Sequence, residues 1–461
     1  MEALLEKVVG AVNTVLWEYL LIYALVGIGL FFTIYLGAPQ VTRFFKAFST
    51  VFGGLFNKNK SKGADVQDTQ LLSQFQALAV AVSAQIGTGN VAGVATAIMA
   101  GGPGAIFWMW LSAFFGMATI FAEAVLAQKY RVLSDGKYIG GPAFYITHGL
   151  GPRIGISAAK VLAGFFSVAI IIALGFIGNA TQSNSITSAI TVAFHLPPLS
   201  TGIVIAVLVG MIVWGGVHRI AQFAQLVVPL MAVVYIICAL IILFMFSEHI
   251  PTMIRQIVVG AFDPAALGGG LAGISVREAI RFGVARGLFS NEAGMGSTPH
   301  AHATAHVQHP VQQGMAAFVG VFVDTMLVCT ATALIVLVTD ANLLGLKGVA
   351  VTQEAFHIAF GGFGQKLLAV CLTFFAFTTI IGWYYFGESN IRYLFQNKFL
   401  NVYRLLVLVA VVLGALGKVD LVWNLSDMFN GFMVIPNLIA LFLLRHDVRA
   451  LLEDYLQRKD L

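Results

Sequence analysis

The sequence predicts an all-α integral membrane protein, and its composition carries this prediction. Hydrophobic residues make up 59% of the 461-residue chain and charged residues only 10%, whereas soluble proteins average about 45–50% apolar and about 25% charged residues. Glycine is also frequent, at 48 residues, which is typical of closely packed membrane helices. So few charges cannot cover a soluble surface. Soluble enzymes, nucleic-acid-binding proteins and disulfide-rich scaffolds are therefore excluded.

A membrane-spanning helix needs about 20 mostly apolar residues, and the chain offers eleven candidate spans. The region between residues 181 and 203 is the least regular, because Pro197 and Pro198 interrupt it. The eleven candidates cover approximately residues 16–36, 75–99, 104–127, 158–181, 183–215, 220–247, 275–308, 314–339, 364–391, 401–416 and 420–444.

Lysine and arginine are distributed unevenly between the two sides of these spans. Most of those in the connections lie on the side reached after the first span, among them Arg43, Lys46, Lys129, Arg131 and Arg445. Cytoplasmic loops of membrane proteins carry this excess. We therefore predict a multi-pass protein of the plasma (cell) membrane with its N-terminus outside and its C-terminus in the cytoplasm.

Two of the candidate spans are interrupted near their centres. The second span contains Ser-Ala-Gln-Ile-Gly-Thr-Gly-Asn at residues 83–90, and the seventh contains Arg-Gly-Leu-Phe-Ser-Asn-Glu-Ala-Gly-Met-Gly-Ser at residues 286–297. Each glycine disfavours a continuous helix by about 1 kcal/mol. Unwound backbone in a bilayer is tolerated only where it lines a cavity or is buried in protein. The two segments therefore predict two discontinuous helices.

The positions of the two breaks predict an internal repeat. Residues 75–247 and 275–444 form two blocks of similar length, each with five spans and with the broken span first. Because five is odd, the second block enters the membrane from the opposite side, as in many secondary transporters. We predict an extra N-terminal helix and cytoplasmic loop (1–74), this 5+5 inverted repeat, and a cytoplasmic tail (445–461). The alternative is two unrelated glycine-rich kinks.

Unwinding the second span exposes backbone groups that suit a zwitterion. The N-terminus of a half-helix favours a carboxylate, and Thr88 and Gly89 would present N–H groups there. Freed carbonyl groups suit a small cation or an ammonium group, and Ser83, Gln85 and Ile86 would present them. The backbone alone can therefore hold an amino acid.

The ninth span adds two hydroxyl groups in an aromatic helix. Thr378 and Thr379 offer oxygen ligands, which match a hard alkali cation; the alternative is that both hydroxyls bond to their own helix. Trp383 lies four residues after Thr379 on the same face. It would wall a pocket and limit the size of a side chain there, although tryptophan is also common at membrane interfaces.

Three sequence motifs resemble those of the alanine/glycine:cation symporter family. They are Gly-Gly-Pro-Gly-Ala-Ile-Phe-Trp-Met-Trp at 101–110, continuing to Gly116, Gly-Gly-Pro at 140–142, and Ser-Asn-Glu-Ala-Gly-Met-Gly-Ser at 290–297. The resemblance covers about residues 75–440, and the first motif is highly specific. It implies a sodium- or proton-coupled importer of small neutral amino acids, with a leucine-transporter-type fold preceded by one extra helix.

The stretch Ile-Gly-Thr-Gly-Asn at 86–90 is similar to the unwound first core helix of that fold. The resemblance implies that the Thr88 and Gly89 amides meet the substrate carboxylate, and that the carbonyls of Gln85, Phe289 and Ser290 meet its amine. The implied substrate-binding residues are Gln85, Ile86, Gly87, Thr88, Gly89, Asn90, Phe289, Ser290, Asn291, Thr379 and Trp383. The implied sodium ligands are the carbonyls of Ser83, Ile86 and Phe375 and the hydroxyls of Thr378 and Thr379.

Charged residues inside membrane spans are candidates for function, and Glu123, Arg286 and Glu292 lie in three such places. We favour a structural pairing of Arg286 and Glu292, with each other or with freed backbone, which holds the second break open. Substrate contact and proton coupling are the alternatives. Glu123 lies near the predicted cytoplasmic end of its span and is interpreted as interfacial.

Four histidines follow the second break, at positions 300, 302, 306 and 309. Their spacing permits zinc geometry, but no acidic or cysteine ligand accompanies them. A polar inner half of the span, lining a cytoplasmic vestibule, is therefore favoured.

The sequence thus predicts sodium-coupled symport of alanine or glycine by alternating access, with proton coupling as the alternative. We expect no organic cofactor, Na⁺ as the coupling ion, the lipid bilayer as surroundings, no nucleic acid and a functional monomer. A channel is disfavoured because no filter-like ring repeats in the chain. A membrane enzyme is disfavoured because the chain has no HExxH, GxSxG or Asp-rich motif.

Overall fold

Long apolar helices dominate the computed structural model, which describes residues 2–56, 71–134, 136–263, 265, 275–417 and 419–458. Within these residues, seven helices are long and apolar enough to cross a membrane, and a bent pair at 74–101 would make an eighth. Two further apolar helices are shorter, at Pro198–Val213 and Leu400–Leu416. The predicted all-helical membrane architecture is confirmed, whereas the count of eleven spans and the inverted repeat remain predictions.

The first part of the chain contains the first broken span. A π-helical segment at Thr14–Leu20 joins its first two helices, and another at Gly89–Gly93 follows the break. The elements are α1 (Glu2–Asn13), α2 (Leu21–Tyr35), α3 (Pro39–Thr42), α4 (Phe44–Phe56), β1 (Leu72–Ser73), α5 (Gln74–Gln85), α6 (Val94–Gly101) and α7 (Ala105–Lys129).

The next part corrects one predicted boundary. The boundary between the spans predicted at 158–181 and 183–215 lies later than predicted. One continuous helix extends from Ile156 to Phe194, and the next helix begins at Pro198. The first of these helices contains a π-helical segment at Ile171–Gly178, and Ile146–Leu150 is π-helical too. The elements are β2 (Val132–Ser134), β3 (Lys137–Ile139), α8 (Pro142–Tyr145), α9 (Gly151–Ile154), α10 (Ile156–Ile170), α11 (Asn179–Phe194), α12 (Pro198–Val213), α13 (Gly216–Met245) and α14 (Ile250–Gly260).

The last part contains the second broken span and a 34-residue α-helix, Gly362–Phe395. A π-helical segment at Phe322–Cys329 connects two of its helices. The elements are α15 (Val276–Asn291), α16 (Pro299–His302), β4 (Ala305–His306), α17 (Pro310–Val321), α18 (Thr330–Val338), α19 (Val349–Phe360), α20 (Gly362–Phe395), α21 (Leu400–Leu416), α22 (Val419–Leu443) and α23 (Arg445–Gln457). Short 3₁₀ turns lie at Ser247–His249 and Ala341–Leu343.

Short strands add to the helices in the described part of the chain, and one pair of them orients the two broken spans. Strand β1 pairs in parallel with β4, with Leu72 opposite Ala305 and Ser73 opposite His306. Strand β1 immediately precedes α5, whereas β4 follows α16. The start of the first broken span and the end of the second therefore lie at the same end of the bundle, so the two spans run in opposite directions.

The glycine-rich motif at 101–104 allows two helices to meet closely. Gly102 has φ +71°, a conformation that favours glycine. A Cβ on Gly104 would lie 2.1 Å from the carbonyl oxygen of Gly260, and one on Gly101 would lie 3.0 Å from the carbonyl oxygen of Glu278. The motif therefore serves packing of the start of α7 against α14 and α15.

Residues predicted as a C-terminal tail form the helix α23 as far as Gln457. Asp447 on this helix accepts a hydrogen bond from Lys129 (2.6 Å) and forms an ion pair with Arg153. Partial burial raises the pKa of Asp447, but the neighbouring Lys129 and Arg153 outweigh it and hold that pKa below its usual value. His309, the N-cap of α17, contacts Asp454 of α23 at 3.0 Å. Ion pairs therefore fasten α23 to the bundle.

Candidate substrate and cation site

The helix α5 ends at a break that is buried in the protein. Residues 74–85 and 89–101 are bent by 48° relative to each other, and Ile86 has the extended conformation φ −79°, ψ 95°. Gly87 N donates to the Asn90 Oδ1 (2.8 Å). The break is thus unwound where the two glycines and Asn90 predicted it. Side-chain oxygens replace the helical partners that its amides lose.

Four of the five predicted sodium ligands come together where this break meets α20, and the fifth, Thr378, shares the Phe375 carbonyl. Thr379 Oγ1 lies 3.0 Å from the carbonyl oxygen of Ser83, 3.2 Å from that of Ile86 and 3.1 Å from that of Phe375. Thr378 Oγ1 lies 2.8 Å from the Phe375 carbonyl. The alternative of bonding within the helix therefore describes Thr378, whereas Thr379 also reaches across to the break. The arrangement is an all-oxygen set, as a hard cation requires.

The predicted carboxylate-binding amide has a partner that the sequence analysis did not identify. Thr88 N donates to Gln182 Oε1 of α11 at 2.9 Å, so a side-chain oxygen stands where the carboxylate was expected. A Cβ on Gly87 would lie 3.0 Å from the same oxygen. The signal was present in the sequence as a polar run in an apolar helix, at residues 179–187. This run was divided between two predicted spans.

Unpaired polar atoms remain beside this break. Thr88 Oγ1 and Gln85 Oε1 are buried and have no hydrogen-bond partner in the part of the chain that the structure describes. Buried polar groups are nearly always paired. These two atoms are therefore available to a polar ligand at the break.

The end of α15 packs directly on the first break. A Cβ on Gly89 would lie 3.1 Å from Ser290 Cα and 3.2 Å from Phe289 Cδ1. Gln85 Nε2 donates to the carbonyl of Asn291 at 2.7 Å. Most of the predicted substrate-binding residues on the two broken spans are therefore neighbours.

Trp383 and Phe289 form an aromatic wall near the second break. Their rings meet edge to face, with centroids 5.9 Å apart. Trp383 is buried, and its indole N–H donates to the carboxylate of Glu292. This burial excludes the interfacial alternative for Trp383 within the described structure, and its role as a pocket wall remains a prediction.

The second break is held open by Glu123, which corrects its predicted interfacial position. Glu123 is fully buried. Its carboxylate accepts hydrogen bonds from Gly296 N (2.9 Å), Gly294 N (3.1 Å) and Asn437 Nδ2 (2.6 Å). Gly294 and Gly296 have φ of +87° and +78°, which favour glycine. A carboxylate from α7 thus satisfies the amides that unwinding frees.

The predicted pairing of Arg286 with Glu292 is not formed, because Arg286 binds a different carboxylate. Its guanidinium forms two hydrogen bonds with the carboxylate of Asp427 in α22, at 2.8 and 2.6 Å. It also lies over the ring of Trp423, 5.1 Å from the centroid. Trp423 in turn contacts Phe289, with ring centroids 5.0 Å apart. Glu292, whose backbone is left-handed with φ +59°, bonds instead to Ser297 and Trp383.

A cavity of about 580 Å³ leads to this ion pair, and we call it the Arg286 cavity. Lys347 and Asn424 make its lining partly polar. Arg286 and Trp423 also line it, and Trp423 contacts Phe289. Its other lining residues are Thr96, Met99, Ala100, Phe282, Gly345, Leu346 and Gly348.

The histidines form separate hydrogen-bonded contacts. His300 Nδ1 bonds the Ser297 carbonyl (2.6 Å) and its Nε2 meets Asn390 (2.8 Å), while His302 bonds Gln313. Among the described residues, no group of three or more histidine, cysteine or acidic side chains could hold a metal ion. A Cβ on Gly141 would lie 2.6 Å from His300, so the motif at 140–142 provides close packing against α16.

Comparison with known proteins identifies the group to which this chain belongs. The family model described as "Sodium:alanine symporter family" matches residues 1–461. The chain belongs to the sodium:alanine symporter family. It is thus a member of a family of multi-pass membrane transporters and not an enzyme, as predicted.

Two relatives extend over nearly the whole chain. The sodium/alanine symporter AgcS of Methanococcus maripaludis is 41% identical over 448 residues, covering 95% of this chain and 94% of the relative. The probable sodium/glutamine symporter GlnT of Bacillus subtilis is 41% identical over 461 residues, covering 100% and 92%. A crystal structure of MhsT in complex with L-phenylalanine matches with a TM-score of 0.61 and 14% identity, covering 81% of this chain and 89% of that one. At that identity the match shows the fold, which is the predicted leucine-transporter type.

Proposed function

We propose that this family member imports alanine or glycine together with Na⁺ by alternating access. One observation carries the proposal: the Thr379 hydroxyl of α20 lies 3.0–3.2 Å from the carbonyl oxygens of Ser83, Ile86 and Phe375 where α20 meets the first break. The Thr378 hydroxyl, which bonds the same Phe375 carbonyl, would complete the site after turning toward the ion. An ion bound to these oxygens would stabilise the unwound segment on which the substrate site is built. Sodium binding should therefore raise the affinity for the amino acid, and the amino acid should raise the affinity for sodium.

The substrate site we propose lies between the two broken spans. The amides of Thr88 and Gly89 would bind the carboxylate after Gln182 moves away from Thr88, and carbonyls of Gln85, Phe289 and Ser290 would bind the amine. The aromatic wall of Phe289 and Trp383 would leave room for a small side chain. The printed names of AgcS and GlnT include alanine and glutamine, and the close approach of Trp383 to Phe289 favours alanine here.

An inverted repeat, if present as we propose, would provide the structural basis for the transport mechanism. We propose an extra helix and loop (1–74), the inverted blocks 75–247 and 275–444, and the tail 445–461, with the N-terminus outside and a monomer as the working unit. The pairing of β1 with β4, which makes the broken spans run in opposite directions, supports inverted topology. Rocking of one group of helices against the other would then expose the site to alternate sides.

A binding measurement tests sodium coupling. Labelled alanine should bind to the purified protein at least about tenfold more tightly in sodium chloride than in potassium chloride at equal ionic strength and constant pH, a difference of about 1.4 kcal/mol. Glycine should compete with alanine, and glutamine should compete weakly. Equal alanine affinity in the two salts would contradict sodium coupling.

Proton coupling is the alternative, since Glu123 and Glu292 are buried carboxylates. Both are hydrogen-bonded around the second break, which supports a structural role. The alternative gains if Thr378→Ala and Thr379→Ala leave uptake intact while Glu292→Gln abolishes its dependence on pH.

The Arg286–Asp427 ion pair would close the substrate site on the side of the Arg286 cavity. Breaking it with Asp427→Asn should speed the release of bound alanine from the purified protein by about tenfold or more, because separating a buried charge pair costs about 2–5 kcal/mol. The measurement is the dissociation rate of labelled alanine in sodium buffer. The control is Glu18→Gln, which removes another partner of α15, paired with Arg277 and Arg281. Unchanged release in Asp427→Asn would show that the pair does not close the site.

A further inference from the structure

A further buried carboxylate, besides those of Glu123 and Glu292, contacts both broken spans and was not predicted from the sequence. Asp324 is fully buried in the π-helical segment Phe322–Cys329. Its carboxylate accepts hydrogen bonds from Asn90 Nδ2 (2.5 Å), just after the first break, and from Ser290 Oγ (3.0 and 3.1 Å), just before the second. Thr325 Oγ1 completes the set at 2.7 Å. Segments of π-helix within longer helices frequently mark functional positions.

The surroundings of Asp324 contain no compensating charge. None of the lysine or arginine side chains that the structure describes forms an ion pair with it; its neighbours are an amide, two hydroxyls and the thiol of Cys329. Burying an ionised carboxylate is costly unless the charge is paired or binds a metal ion. By contrast, Asp427 of α22 pairs with Arg286, and the buried Glu388 of α20 pairs with Arg392. Unlike Asp427 and Glu388, Asp324 thus has no basic partner among the residues that the structure describes.

The neighbours of Asp324 differ from those of Glu123. The Glu123 carboxylate is bound by three N–H donors at one break. Around Asp324, the Ser290 and Thr325 hydroxyls can turn to present oxygen lone pairs. Carboxylate and hydroxyl oxygens are hard ligands that match an alkali cation. The cluster thus has the composition of a cation site.

We infer that the Asp324 carboxylate and the hydroxyls of Ser290 and Thr325 form a second Na⁺ site, separate from the oxygens around Thr379. The inference rests on the sodium-coupled symport proposed above and adds its stoichiometry. Asn90 links this site to the first break, because its Nδ2 donates to Asp324 while its Oδ1 accepts from Gly87 N. Sodium at Asp324 therefore favours the unwound segment that holds the substrate.

Two sodium sites determine the charge that moves with each alanine. Alanine is a net-neutral zwitterion, so the wild-type protein moves two positive charges per substrate. Asp324→Asn removes the ionic ligand with little change of shape and leaves one charge per substrate. In this variant, the dependence of alanine uptake on sodium concentration also changes from sigmoidal to hyperbolic.

The experiment measures reversal potentials in proteoliposomes. Alanine and sodium gradients are fixed, the membrane potential is set with potassium and valinomycin, and the potential of zero net labelled-alanine flux gives the charge per substrate. We expect two charges for the wild type and one for Asp324→Asn. Thr325→Val should shift half-saturation by sodium upward severalfold. Thr332→Val is the matched control with wild-type values, since its buried hydroxyl bonds Tyr235 and the Val328 carbonyl outside the cluster.

The outcomes separate this inference from the proposed function. One charge per alanine in the wild type, or two in Asp324→Asn, overturns the second site while sodium symport stands. A reversal potential that follows the pH gradient and loses this response in Asp324→Asn assigns a proton to Asp324 and also overturns it. An alanine flux with no response to the sodium gradient in any variant contradicts the proposed function itself. If Asp324→Asn does not fold, the wild-type charge decides.

Discussion

Replacing Gly87 with alanine is expected to reduce sodium-dependent alanine uptake by about 10–100-fold, since overpacking a buried site costs about 1–3 kcal/mol. A Cβ at this position would lie 2.3 Å from Thr379 Oγ1 and 3.1 Å from Thr379 Cβ. The 2.3 Å contact is not possible unless the Thr379 hydroxyl turns away or α5 moves away from α20. The displaced Thr379 hydroxyl would lose the carbonyls of Ser83 and Ile86, so the proposed cation and substrate sites would be damaged together.

Uptake of labelled alanine in proteoliposomes under a sodium gradient measures the effect of Gly87→Ala. Gly164→Ala is the control, because a Cβ on this glycine of α10 has no atom within 4 Å. It should retain wild-type uptake, and a helical alanine there should even favour α10 slightly. Wild-type activity in Gly87→Ala, with the same amount of protein in the vesicles, would show that the contact between the break and α20 is not needed.

The two breaks were predictable because their signals are local. Glycines and small polar residues in the middle of an apolar span disfavour a helix wherever the span packs. The structure accordingly unwinds at Gly87 and at Glu292–Ser297. The meeting of Thr379 with Ser83 and Ile86 was inferred from the family resemblance, not from spacing. The geometry of those residues agrees with it, and their roles remain a proposal.

Partners that are distant in sequence were not predictable in this way. Arg286 and Asp427 are 141 residues apart, and only the packing of α15 against α22 brings them together. The hydrogen bond of Gln182 to Thr88 depends on how α11 crosses the first break. Glu123 was interpreted as interfacial because its predicted span end was used as a guide to depth, whereas its depth depends on where α7 meets the second break.

Asp324 shows a different limit of sequence reasoning. It lies in an otherwise apolar run, Val-Phe-Val-Asp-Thr-Met-Leu-Val, and an acid inside a span is itself a functional signal. The sequence analysis considered only Glu123 and Glu292 as buried carboxylates. What the sequence could not give is the pairing of Asp324 with Asn90 and Ser290, since each lies on a different span.

Replacing Thr379 with valine is expected to abolish most of the sodium dependence of alanine binding. Valine keeps the branched shape but removes the hydroxyl that lies 3.0–3.2 Å from the carbonyl oxygens of Ser83 and Ile86. Leaving buried polar groups without a partner costs about 1–3 kcal/mol. Half-saturation by sodium should therefore rise at least about tenfold, which corresponds to about 1.4 kcal/mol.

Sodium titration of labelled alanine binding to the purified protein measures this change. Thr373→Val is the matched control on the same helix, because the Thr373 hydroxyl bonds only the Ala369 carbonyl of its own helix among the described residues. It should titrate like the wild type. Thr378→Val should have a smaller effect than Thr379→Val, since Thr378 bonds within α20 and does not reach the break. If both variants at 378 and 379 titrate like Thr373→Val, the sodium ion does not bind where α20 meets the first break, and Asp324 becomes the remaining candidate for coupling.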